Sequence, residues 1–209
     1  MGAKTETGQI RVSLTSFVDF VITTGTPRIA CVREIKSAIA EGYDPTRDFW
    51  KRPRESIAEM HKEGHPRAWL ARAISGTNSP TRKRKYPVAA SAYLQWLGRK
   101  NPTWIDLAPG VFAEGKLEVS VNPELGFLLG DKHYAIKLYF KGEPLKKRAI
   151  DPILFLIQEH VKCKDGSPVI PAILDIHAMH LYEPTTPLAD LRPLLVAEAR
   201  AFYSLYEEL

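Results

Sequence analysis

Thiols are scarce in this chain: 209 residues hold two cysteines, Cys31 and Cys163, far apart in sequence. Such a pair in a chain without a secretory leader is expected to stay reduced. Cys31 falls among the apolar positions of a predicted helix and reads as small core filler. Uncharged apolar runs of the ~18 residues a membrane span needs are also lacking, so no membrane partner is expected. The opening stretch, "MGAKTETGQIRVSLTSF", has no apolar segment of signal-peptide length behind a basic start, which predicts a cytoplasmic protein. There is no Gly-rich phosphate loop, no G-x-S-x-G elbow and no kinase-type signature, and the chemistries that need them are set aside.

What is present is ordinary in amount and uneven in distribution. Apolar residues make up 44% of the chain and charged residues 25%, enough for one large domain or a core domain with a helical extension. The net charge of +5 conceals a split: residues 1–104 carry 18 Lys and Arg against 9 Asp and Glu, and residues 105–209 carry 11 against 15. A basic first half suits an anionic partner such as nucleic acid. It equally suits a helical region with solvated basic faces.

The first hundred residues punctuate as helices. Leu14, Phe17, Val18, Val21 and Ile22 repeat with helical period behind Ser13, a reasonable N-cap. Thr26-Pro27 opens a second helix that ends at Gly42. Asp44-Pro45 opens a third, which Pro53 is expected to break or kink before "RESIAEMHKEG" continues to Gly64. Pro66 begins a short fourth, "RAWLARAIS", that stops at Gly76. Residues 75–87, "SGTNSPTRKRKYP", combine Gly, Ser, Asn and Pro with four consecutive cations and read as a linker. The expected division is therefore a helical region over 1–80 and an α/β core over 81–209.

In that second part "VAASAYLQWLGRK" is helical, "KLEVSV" alternates as a strand, and "VNPELGFLLGDKHYAIKLYFK" reads as two strands joined by Gly-Asp-Lys. "RAIDPILFLIQEHV" is helical, "PAILDIHAMHLYE" is read as one strand, and "LRPLLVAEARAFYSLYEEL" closes the chain as a helix. Helix, three strands, helix, strand and helix argue for a mixed α/β or α+β layer structure. On the strand from Tyr134 to Lys141, Tyr134, Ile136, Leu138 and Phe140 share one face. Ala135, Lys137, Tyr139 and Lys141 share the other, which places Lys137 toward a cleft or solvent.

Over roughly residues 86–182 this order resembles the core of the restriction-endonuclease-like superfamily, whose active-site pattern is written PD-(D/E)XK. Pro123-Glu124 matches the acid that opens the second strand, with Glu for Asp. Ala135-Ile136-Lys137 matches the lysine of the third strand and lacks its partner acid. The resemblance implies a restriction-endonuclease-like mixed sheet flanked by helices, with Glu124 as metal ligand, Lys137 beside it and Mg2+ as the cofactor of any catalysis. Such an ion would stabilise the charge that develops as a phosphodiester is cut and activate a bound water. Glu118 and Glu159 are candidates for the missing acid.

A second constellation pairs His160 with Cys163 and His177 with His180 at spacings seen among zinc ligands. If the second pair lies on a strand, its two histidines face opposite ways, while Asp175 and His177 share a face. The run Arg82, Lys83, Arg84 and Lys85 is the candidate for phosphate contact. Tyr86, Tyr93 and Trp96 behind it are candidates either for stacking on bases or for a core-facing stripe. The expected function is nucleic-acid binding on a degenerate nuclease-like core, with metal-dependent phosphodiester hydrolysis through Glu124 and Lys137. The alternative is a non-catalytic protein-interaction module that keeps the fold without the chemistry.

Overall fold

In the computed structural model, which describes residues 8–42 and 48–209, the chain begins with a strand hidden in the sequence by the helix that follows at once. The strand β1 (Ile10–Ser13) buries Ile10 and Val12 on one face and leads directly into α1 (Leu14–Ile22). Ser13 ends the strand and caps the helix, its hydroxyl accepting from Ser16 N at 3.0 Å. Then come α2 (Pro27–Glu41), ended by Gly42, α3 (Lys51–Lys62) and α4 (Arg67–Ser75). Pro53 breaks nothing, because it lies in the first turn of α3, where backbone N–H groups have no helical partners. The helix start expected at Asp44-Pro45 lies outside the described residues.

The expected linker is largely helix: α5 (Pro80–Leu97) takes in the whole cationic run. Ser79 caps it, accepting from Arg82 N, and Pro80 stands in the first turn, so the Gly-Ser-Asn-Pro signal marks a helix start and ends there. Pro87 is carried inside the helix.

Six strands, not three, then precede the next helix. They are β2 (Thr103–Trp104), β3 (Leu107–Ala108), β4 (Gly110–Glu114), β5 (Leu117–Val121), β6 (Leu125–Leu129) and β7 (Lys132–Tyr139). The helix α6 (Lys147–His160) follows, then β8 (Lys162–Cys163), β9 (Ile170–Asp175), β10 (His180–Tyr182) and α7 (Arg192–Glu208). The segment expected as one strand over "PAILDIHAMHLYE" is the β9–β10 hairpin, with His180 paired to Asp175 and His177 in the turn between. His177 therefore does not share a strand face with Asp175.

The architecture is mixed α/β, with N-terminal helices followed by a mixed sheet flanked by helices. One sheet has the order β1-β5-β4, with β1 parallel to β5; a second has the order β10-β9-β7-β6-β2, with β7 parallel to β9 and α6 in the crossover. A short third sheet pairs β3 with β8. In the β6–β7 hairpin Gly130, at φ +59, is the first of two turn residues, the conformation a II′-type hairpin turn requires. Gly126 on β6 is required for a different reason: a Cβ there would overlap the carbonyl oxygen of Ile105.

Two apolar cores result. One joins Ile10, Phe17, Leu117, Phe155 and Phe202; the other joins Ile57, Leu70, Tyr93, Phe127 and Leu174. Each draws residues from both sides of position 80, so the expected division at that point separates neither core. Cys31 is half-buried, Cys163 is buried, and both are free thiols. Among the described residues no helix is long and apolar enough to cross a membrane.

Candidate functional site

The chain passes from the three-stranded sheet to the five-stranded one through Asn122-Pro123-Glu124. The register that pairs Leu125 with Ile136 brings Glu124 opposite Lys137, one step beyond the end of β6. Their side chains meet: Lys137 Nζ lies 2.5 Å from Glu124 Oε1. The other carboxylate oxygen, Oε2, accepts the backbone N–H of Leu138 at 2.8 Å. Glu124 thus continues the β7 ladder where β6 has no residue left to pair, and both of its oxygens are engaged. The two side chains are 13% and 17% exposed, so the pair is shielded and cannot be treated as a solvated surface contact.

A residue with no sequence signal completes the group. Arg54 of α3 places Nε 3.7 Å from Glu124 Oε1 and donates from Nη2 to Asp48. Asp48 also accepts from Trp50 N at 3.2 Å, which fixes the entry into α3. Asp48, Arg54, Glu124 and Lys137 therefore form an alternating network with no net charge. It ties the first turn of α3 to the end of the β6–β7 hairpin.

The candidates for a second acid lie elsewhere. Glu118 is on the outer face of β5, paired with Arg11 of β1 at 2.7 Å, in the register that sets Arg11 opposite Glu118. Glu159, near the end of α6, pairs with Arg192 at 2.7 Å. Asp175 is buried and accepts from Ala178 N at 3.0 Å, closing the β9–β10 turn. Mg2+ needs oxygen ligands in a near-octahedral shell. The residues here do not fit it, because both oxygens of Glu124 are already used and Asp48, the other carboxylate of the network, is held by Arg54 and Trp50 N. Among the described residues no three His, Cys, Asp or Glu side chains converge on one point.

The zinc-spaced pairs are held in other ways. His160 ends α6 beside the Phe112 ring, and burial pushes its imidazole below the usual range. Cys163 belongs to β8, where burial raises its thiol. His177 Nε2 lies 3.1 Å from the Phe140 carbonyl oxygen, and exposed His180 packs against the ring of Tyr182.

In the cationic run, Lys83, Arg84 and Lys85 are exposed on the first turns of α5, and Arg82 is half-buried. Arg82 and Lys85 lie over Phe49, 5.7 and 5.9 Å from its ring centre. Tyr86, Tyr93 and Trp96 are buried against the sheet and offer no face to a base. Tyr86 donates to the Phe49 carbonyl at 2.6 Å, and Tyr93 shares a 2.6 Å hydrogen bond with His61.

Lys137 borders a cleft of about 520 Å3 between α1, Trp50, the end of β7 and the start of α6. Its lining includes the apolar Val18, Ile22, Leu145 and Ile153 and the cations Arg54, Lys141, Lys146 and Arg148. No protein-family model matches this chain, and no curated protein matches it. Among solved structures, the crystal structure of SSO0001 aligns over 98% of this chain and 79% of its own at 12% identity, with a TM-score of 0.37, a likeness too slight to carry an argument.

Proposed function

We propose that the chain is a non-catalytic interaction module that keeps a restriction-endonuclease-like core without the chemistry. The observation that supports this reading is the engagement of Glu124. Its two oxygens hold Lys137 and the Leu138 N–H, Arg54 adds a second cation, and position 135 is alanine where the nuclease pattern has an acid. A carboxylate freed for a metal would leave a shielded lysine and a ladder N–H without partners, at a cost of about 1–3 kcal/mol for each lost group.

The test is an assay of the purified protein on single- and double-stranded DNA and RNA with Mg2+ and with Mn2+. The expected result is no metal-dependent cleavage and no change of melting temperature with either ion. Cleavage that disappears in Lys137→Ala and in Glu124→Gln would return the chain to the nucleases.

The exposed cations favour nucleic acid as the partner of such a module. Lys83, Arg84 and Lys85 stand together on α5 with no carboxylate in its first turn. If three phosphates are neutralised, log K against log[salt] slopes at about −2.7 on duplex DNA. Replacing the three by alanine flattens that slope for every sequence alike, because phosphate contacts carry no base information. Equal slopes for parent and variant would leave a protein partner as the reading.

A further inference from the structure

We infer that the cleft beside Lys137 is a binding site for a small phosphate ester with a flat apolar body, the chemistry of a mononucleotide. This inference concerns a ligand of the cleft and does not depend on what partner the module engages.

The charge balance is the first observation. Five cations border the cleft: Arg54, Lys137, Lys141, Lys146 and Arg148. Asp48 and Glu124 neutralise Arg54 and Lys137, and Asp19 neutralises Lys141 through a 2.9 Å pair. Lys146 and Arg148 have no carboxylate partner among the described residues, although Glu143 also borders the cleft. Lys147 stands between them in sequence, and the first turn of α6 contains no acid. The chain has concentrated positive charge at this edge and left it one to two charges in excess. A phosphate monoester carries about −1.5 to −2 at pH 7, which matches the surplus. Arginine and lysine are also the side chains that hold phosphate through charge-assisted hydrogen bonds.

The second observation is the apolar lining. A cluster of cations on a convex surface is a solvated face, but these border a concavity that is also lined by Val18, Ile22, Leu145 and Ile153. Its volume of about 520 Å3 falls within the range of small-molecule pockets, which are mostly apolar with a few polar groups that fix orientation. Trp50 forms part of the wall, its ring already held by stacking on Phe140 at 5.0 Å. Thr15 and Thr24 add hydroxyls that can donate to or accept from a heterocycle or sugar, and Thr23, whose hydroxyl donates to the Asp19 carbonyl at 2.6 Å, can accept. An inorganic anion would use only the cationic edge, and an aliphatic ligand without charge only the apolar lining. A nucleoside phosphate uses both.

The experiment is calorimetric titration of the full chain with each of the four ribonucleoside 5′-monophosphates, the matching nucleosides, inorganic phosphate and a short single-stranded oligonucleotide. At least one monophosphate is expected to bind saturably, with its nucleoside and inorganic phosphate each weaker by about tenfold or more. Lys146→Ala with Arg148→Ala is expected to weaken that binding by about tenfold or more while leaving the melting temperature of the free protein unchanged. Arg148→Lys is expected to restore part of it. Trp50→Phe keeps an aromatic wall and guards against a variant that fails to fold; it should bind within a few-fold of the parent. The inference is overturned if no monophosphate binds, if phosphate alone binds as tightly, if the double variant binds unchanged, or if only the oligonucleotide binds.

Discussion

On one face of the five-stranded sheet, Phe127, Tyr134, Ile136 and Leu174 are buried beneath α3, α4 and α5; on the other, Ala135 and Ile173 are buried in the core that includes α1 and α6, while Lys137 borders a cleft. The same strand, β7, supplies residues to both faces by alternation. Large apolar side chains close the first face completely. The second is closed where its residues are apolar, and where they are charged it depends on ion pairs and leaves a concavity. The difference teaches that stability and ligand access are divided between the two faces of one sheet.

The largest expected effect breaks the closed face. Phe127 is fully buried, with the rings of His61 and Trp104 beside it. Phe127→Ala is expected to cost about 3–5 kcal/mol, read from the urea midpoint of unfolding, because the tightly packed face cannot collapse around the loss. A cost below 1.5 kcal/mol would show that the two faces are equally yielding.

A smaller effect is expected at the charged end of the other face. Glu124→Gln or Lys137→Met, made singly, removes the nearest partner of a shielded charge and is expected to cost about 2–3 kcal/mol by the same measurement. A wholly solvated lysine would instead cost about 0.5 kcal/mol or less.

The closed face also carries a pH dependence. Burial, with a smaller contribution from the Arg67 charge, holds the His61 imidazole down to about 4 from its ordinary 6.5. The unfolded chain takes up a proton at about 6.5, whereas the folded chain does so only near 4. Stability is therefore fully present above about pH 6.5 and falls as pH drops toward 4. His61→Gln retains an acceptor for the Tyr93 hydroxyl and removes the titration. The difference in melting temperature between parent and variant should change with pH across that window and level off above it, even though His160 titrates in the same direction. A constant difference would place His61 in solvent.

The smallest expected effect is on the outer side of α5. Lys83→Ala, Arg84→Ala and Lys85→Ala together are expected to change stability by no more than about 0.5 kcal/mol, since these side chains are exposed. Arg82 is left in place because its guanidinium lies over Phe49.

Much of the helical frame was legible because period and punctuation agree: Ser13 caps α1, Pro27 and Gly42 bound α2, and Gly76 follows α4. The meeting of Glu124 and Lys137 was expected from the hairpin and from strand parity, although the turn is Gly130-Asp131 and Lys132 of the expected Gly-Asp-Lys joint already belongs to β7. Short strands were not. β2 and β3 have two residues each and β1 four, too few for an alternating pattern to declare itself, and β1 runs without a break into a helix. The cationic run was misread because four like charges followed by Pro87 resemble a linker, whereas burial of Tyr86, Ala89, Ala90 and Tyr93 keeps that segment helical. Arg54 and Asp48 could not be foreseen at the site. Arg54 reaches Glu124 through the packing of α3, with Asp48 held behind it, and no local spacing encodes a contact across 70 residues of chain.

The central claim is that Glu124 and Lys137 form a structural pair that completes the end of the hairpin. A double-mutant cycle tests it most directly: unfolding free energies of the parent, Glu124→Gln, Lys137→Met and the double variant, each with and without Mg2+. The account predicts that the double variant recovers about 1–3 kcal/mol relative to the sum of the single losses, with the same four values in both buffers. Additive losses, together with a stabilisation by Mg2+ that the parent shows and Glu124→Gln lacks, would contradict it and place a metal site at Glu124.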